Sequence, residues 1–160
     1  MNFFSKLSFG FLATICFAAV FAPWITPYSY ETQNTFNILA TPSFEHFLGT
    51  DRLGRDLFSR LIYGARVSLF IGISSTLLAV LIGTIYGFIS GYAGGRMDGF
   101  MMRIVDVVFA LPDMLMIILI TVMIGRGVLG MFIALTLVSW VTVARLVRGE
   151  VLRIKEKNYV

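Results

Sequence analysis

The chain has 160 residues, 58% of them hydrophobic and 14% charged, against roughly 25% charged in an ordinary soluble domain. Thirteen basic and nine acidic side chains are too few to cover the surface of a water-soluble fold of this size, and the mean hydropathy of +0.85 agrees. These figures exclude a soluble enzyme and predict an all-α integral membrane protein, a polytopic bundle of transmembrane helices.

The net charge of +4 reads as loop charge on a membrane protein and not as a nucleic-acid footprint. The single Cys16 lies in an apolar run and offers neither a disulfide nor a metal cluster. From Leu7 to Ile25 there is no charge, a stretch long enough to span ~30 Å of hydrocarbon at ~1.5 Å per residue. Pro23 and Pro27 close this stretch, with Trp24, Tyr28 and Tyr30 where an interfacial aromatic belt belongs. A cleaved signal peptide is the rival, but Pro23 would follow the cut and the apolar run is long. Residues 1–25 are therefore predicted to be an N-terminal anchor.

Residues 26–66 are polar. Arg52, Arg55, Arg60 and Arg66 are balanced by Glu31, Glu45, Asp51 and Asp56. Leu57, Leu61, Ile62 and Ala65 share a helical face, and Asp56 and Arg60 have i,i+4 spacing. The expectation is an extracytoplasmic loop ending in a short amphipathic helix at the interface.

Residues 67–146 are predicted to form a core of three spans. Val67–Gly95 is free of charge, and Ser75, Ala79, Gly83, Gly87 and Gly91 recur every four residues, a row along which a second helix can approach closely. A short polar connection with Arg96, Asp98 and Arg103 follows. The third span, about Ile104–Ile124, is interrupted by Asp106, Pro112 and Asp113, and a Pro-kinked helix with its early turns buried in protein is expected. Gly127–Ala144 is the fourth span, and the chain then carries Arg145, Arg148, Arg153, Lys155 and Lys157. Four spans put both ends on one side. The positive-inside rule makes that side cytoplasmic, with Lys6, Arg96, Arg103 and the tail inside and Arg52, Arg55, Arg60, Arg66 and Arg126 outside.

Few motifs point to chemistry. Gly125-Arg126-Gly127-Val128-Leu129-Gly130 spells a dinucleotide-binding string, but the following segment is apolar on every face, so a tight turn between spans explains it. There is no P-loop, so the chain has no ATP site of that type. The lone His46 has no second ligand near it in sequence, and no cofactor or metal is expected. Asp106 and Asp113 lie seven apart, on one face of a helix. They read either as a polar lining of a translocation path or as two acids near the cytoplasmic interface, with Asp106 paired to Arg103.

The string Leu48-Gly49-Thr50-Asp51-Arg52-Leu53-Gly54-Arg55-Asp56, then Ser59-Arg60 and Gly64-Ala65-Arg66-Val67-Ser68-Leu69, resembles the inner-membrane permeases of bacterial ABC importers for dipeptides, oligopeptides and nickel. Pro42–Phe47, Gly91–Gly95, Asp98, Met102–Asp106, Leu111-Pro112, Ser139-Trp140, Ala144-Arg145, Val147–Glu150 and Lys155–Val160 extend the match over essentially the whole chain. It looks most like the second, C-type permease of the oligopeptide branch.

The resemblance implies a subunit that moves peptides across the bacterial inner membrane by alternating access. It implies a sister permease, two cytoplasmic ATPase subunits that hydrolyse the ATP, and an extracytoplasmic solute-binding protein. Residues 147–160, with Glu150, Lys155, Lys157, Asn158, Tyr159 and Val160, would lead into the ATPase-coupling loop. In the family that loop continues with Glu-Ala-Ala and a later Gly, and two more spans follow. The sequence given stops at Val160, so a fragment of a longer permease or a truncated product is expected, the latter without coupled transport. Two rivals from other classes are a non-transporting subunit that associates with a sister permease, and a small ion channel, for which only Asp106 and Asp113 could form a charged ring.

Overall fold

The computed structural model describes residues 3–157, with side chains from Phe4 onward. Asn158, Tyr159 and Val160 lie outside the described residues. Among the described residues the regular structure is helical: α1 (Phe3–Val20), α2 (Ala22–Ile25), α3 (Leu57–Ala93), α4 (Gly95–Phe109), α5 (Asp113–Ile124) and α6 (Val128–Glu156). One isolated antiparallel bridge joins Thr50 and Asp56. The chain divides into two compact units, residues 1–70 and 71–160.

In the first unit α1 carries a single charge, Lys6, and is otherwise mostly apolar, with Phe4, Phe9, Phe11 and Phe17 exposed as lipid-facing side chains would be. Pro23 stands near the start of α2, where its missing N–H costs nothing. Residues 34–56 then fold as a compact cap without strands. Leu39 and Thr50 donate their amides to the carbonyls of Asp51 and Ala40, at 3.2 and 3.1 Å. Asp51 and Leu57 close the loop by donating to Arg55 and Gly49, both at 3.0 Å. Gly54 turns in the left-handed region (φ 70°), and a Cβ there would strike the backbone of Asn34.

The expected short interfacial helix is not separate. α3 runs unbroken for 37 residues from Leu57, because no Pro interrupts it and its glycines, lying in a helix already committed by flanking apolar residues, do not break it. Asp56 caps its start, accepting from the Ser59 amide at 2.7 Å.

In the second unit three glycines of the small-residue row on α3 face α6, and Ser75 and Ala79 of the same row are buried. Gly83 lies against Trp140 and Val143, Gly87 against Ala144 and Val147, and Gly91 against Arg148 and Val151. Each glycine meets the valine sixty positions later, so the two helices run parallel. Extending that register to Ile71 places it level with Met131. The chain between Ala93 and Met131 must therefore come back over ~33 Å, and α4 and α5 supply the return. They do so as two helices bent by 82° to each other, not as the expected kinked helix. Pro112 fits neither an α4 interior nor its hydrogen-bond ladder, and begins α5 instead with φ −59°.

Among the described residues two helices, α3 and α6, are long and apolar enough to cross a membrane, and the bent α4–α5 pair makes three if it counts as one span. The expected four spans are not confirmed among the described residues, where α1 falls in the class of shorter apolar helices. Most of the segment expected to lead into ATPase coupling belongs to α6, which continues from Val128 to Glu156. Its early turn is tight: Gly125 has φ 121°, and Gly130 packs against the Gly125 carbonyl.

Candidate transport and coupling sites

Three elements of the second unit converge on one carboxylate. Asp98, in the first turn of α4, accepts two hydrogen bonds from the Arg148 guanidinium of α6, Nε and Nη2 each at 2.5 Å. It also accepts from the Ser90 hydroxyl of α3 at 2.6 Å. Ser90 is fully buried, and the Asp98 side chain is 12% exposed. A planar guanidinium facing a carboxylate edge on is the most directional ion pair available to side chains. Just beside it, the Tyr86 hydroxyl of α3 donates to the Met101 carbonyl of α4 at 2.9 Å, and its ring meets Trp140 of α6 edge on.

A second pair joins the same two helices further along. Arg145 donates to Asp106 at 2.5 Å and lies over the Phe109 ring at 3.8 Å. Asp106 thus pairs with Arg145 and not with Arg103. Its side chain is 61% exposed, so solvent screens much of this interaction. Asp113 does not share a face with it: the break at Pro112 puts Asp113 at the first position of α5, where the positive end of a helix favours a carboxylate.

Of the residues expected to lead into ATPase coupling, Glu150 accepts from Arg153 at 2.6 Å, an exposed pair within α6. Lys155 donates to the Tyr92 carbonyl of α3 at 2.8 Å, satisfying one of the orphan acceptors of that helix end. Lys157 is exposed just beyond the helix.

The cap of the first unit holds its own polar cluster. Asp51 accepts from the amides of Leu53 (2.8 Å) and Arg55 (3.0 Å), from Arg55 Nε (2.9 Å) and from Arg60 Nη1 (2.5 Å). Arg60 is thus bound to Asp51 and not to Asp56. The Arg55 amide first, then the Leu53 amide and the Arg55 guanidinium, outweigh desolvation and hold the Asp51 carboxyl down at about 2. Asp56 pairs with His46 Nδ1 at 3.0 Å. Burial pushes its carboxyl up, but the bonds from Ser59 and His46 prevail, and it titrates below the usual range. A cavity of about 260 Å3 opens beside this pair, lined by Tyr28, Asn34, Asn37, Glu45, His46 and Asp56 among others. Among the described residues no group of three or more His, Cys, Asp or Glu is placed to hold a metal ion.

The sequence reading missed Asp98 as a hub, although Ser90 lies eight residues before it and the spacing puts both near one helix end. Nothing in the spacing indicated Arg148, fifty positions away.

Residues 83–160 match the family model described as binding-protein-dependent transport system inner membrane component. Residues 4–42 match that for the N-terminal transmembrane domain of oligopeptide transport permease C. The chain belongs to this permease family. It is 46% identical over 149 residues to the oligopeptide transport system permease protein OppC of Bacillus subtilis, covering 93% of this chain and 49% of the relative. It is 48% identical over 142 residues to the dipeptide transport system permease protein DppC of the same organism, covering 89% and 44%. The glutathione transport system permease protein GsiD of Pectobacterium atrosepticum is 39% identical over 151 residues, covering 94% and 50%. The chain thus spans about half the length of the curated relatives it matches.

Proposed function

We propose that this permease is a non-enzymatic transmembrane subunit of an ATP-driven importer that carries di- or oligopeptides across the bacterial inner membrane by alternating access. The observation that carries this reading is its likeness, at 46–48% identity over most of the chain, to permeases named for oligopeptide and dipeptide transport. The helices fit the task. α3 and α6 are long and apolar enough to span and run parallel; we read α4–α5 as a single returning crossing between them and α1 as a further span, for a total of four.

The basic residues on α6 and Lys6 set both described ends in the cytoplasm. Ion pairs tie the cytoplasmic half of α6 to α4, where an ATPase would act. A sister permease completes the pore, two ATPase subunits bind from the cytoplasm, and a solute-binding protein docks on the extracytoplasmic side, above the cap of residues 34–56. Pro112 and Asp113 mark the bend at which the translocation path would change direction.

The test is uptake of a radiolabelled tripeptide by cells lacking the full-length gene, with co-purification of ATPase subunits on the tagged permease. Uptake lost on deletion and restored by the gene, with ATPases recovered, supports the reading. Uptake indifferent to the gene, or a permease purified without ATPases, removes it.

A further inference from the structure

We infer that Asp98 is a positioning residue: by holding Arg148 and Ser90 together it fixes the register of α6 on α3 and α4, so that these three helix ends move as one body during the transport cycle. The inference rests on the proposed importer function only for its consequence in transport.

The packing alone leaves that register underdetermined. Ser75, Ala79, Gly83, Gly87 and Gly91 repeat every four residues along α3. A displacement of α6 by one repeat would set one small residue where another had been, and close backbone approach would survive almost unchanged. Apolar contact is non-directional, and repeating faces invite slippage unless a polar group specifies one alignment. Asp98 is such a group. Its two oxygens are engaged by a two-pronged guanidinium and a buried hydroxyl from the two helices in question. A slip of one turn, ~5.4 Å, would break all three bonds at once and leave a carboxylate and a guanidinium unmatched in a largely buried place.

The neighbouring Arg145–Asp106 pair cannot do the same. It is more exposed on both sides, at 36% and 61% against 32% and 12%, and no third element meets it. Lys155 on the Tyr92 carbonyl resists the same slip, but through one flexible chain to a single acceptor. The three converging bonds therefore place the register at Asp98.

The experiment uses the full-length permease in its assembled complex, with Cys16→Ser and every further cysteine of the full-length chain likewise replaced. Spin labels are attached at Phe100→Cys on α4 and Leu146→Cys on α6, both exposed positions. With Asp98 intact, the label-to-label distance stays single and changes by less than about one helical turn, ~5 Å, between the nucleotide-free and ATP-trapped states. With Asp98→Asn it becomes broad or double, and the ATP hydrolysed per peptide imported rises about fivefold or more. The reciprocal Asp98→Arg with Arg148→Asp restores a single distance. Arg148→Lys, which keeps the charge and loses the fork, gives intermediate broadening and serves if Asp98→Asn fails to assemble.

A distance that shifts by more than a turn in the unaltered protein overturns the inference. So does a distribution that Asp98→Asn, or Arg148→Lys in its place, leaves unchanged. If no ATPase co-purifies, the importer reading fails, and the broadening in the isolated permease still decides the role of Asp98.

Discussion

The cap at residues 34–56 and the helical core at 71–156 reach order by opposite means. The cap has little apolar interior: its turns are held by carboxylates that collect backbone amides, Asp51 from Leu53 and Arg55, Asp56 from Ser59. The core has close backbone contact along a row of small residues and one shared carboxylate. The difference follows from solvent. In water a loop of this length gains most from satisfying its own polar groups locally. Between apolar helices in lipid there is no hydrophobic drive to associate, so fit and a few directional bonds decide.

The comparison breaks most sharply at Gly87. A side chain there would meet the Ala144 carbonyl backbone, which cannot rotate away. Gly87→Leu should cost about 3 kcal/mol or more, read as a large fall in melting temperature of the detergent-purified permease. Cap amides should keep their hydrogen-exchange protection in the same sample.

The converse variant, Asp51→Ala, should open the cap and spare the core. Limited proteolysis should speed up between residues 34 and 57, with the helical melting transition in place. An equal loss in both regions would show that they do not stand independently.

The pH dependence sharpens the contrast. The Asp51 carboxyl is lowered from 3.8 to about 2 in the folded state, and Asp56 is lowered as well. Their contribution is therefore complete above the unfolded value and is lost as pH falls from near 4 through about 2. Exchange at the Leu53, Arg55 and Ser59 amides, corrected for intrinsic rates, should stay slow down to about pH 4 and quicken below it. Loosening already at pH 6 would contradict this assignment of the carboxylates.

The smallest effect is expected at Gly99, in α4, where an added Cβ meets nothing within 4 Å. Gly99→Ala should leave assembly intact and raise stability by about 0.5–1 kcal/mol, seen as a small rise in melting temperature. Paired with Gly87→Leu, it separates glycines that make room from glycines that merely tolerate the helix.

How much of this was legible in the sequence depends on the range of the interaction. The alignment of Gly83, Gly87 and Gly91, the glycines that lie against α6, is legible from their four-residue spacing, because helical period is a local property. The Asp51 turn is local too, reaching two and four residues on. Pro112 announced a break, but its 82° bend is set by what α4 and α5 pack against, which no window contains. Asp106 was assigned to Arg103, one turn away, when its partner lies thirty-nine positions on. Asp98 looked like an ordinary loop charge for the same reason. Arg60 and Asp56 had ideal spacing for a pair, yet His46 and Ser59 engaged Asp56 first, from a cap whose folding the helical pattern could not foresee.

The continuity of α6 has a mechanical consequence. With no proline, bulge or glycine break between Val128 and Glu156, the helix is a rod of ~43 Å. A push on its charged end is not absorbed at a joint but reappears at the other end: a tilt of about 10° about one end sweeps the opposite end by roughly 7 Å over that length. Leverage of this kind needs no hinge inside the rod. It needs a fulcrum, and the close contact along Gly83, Gly87 and Gly91 is where one would sit.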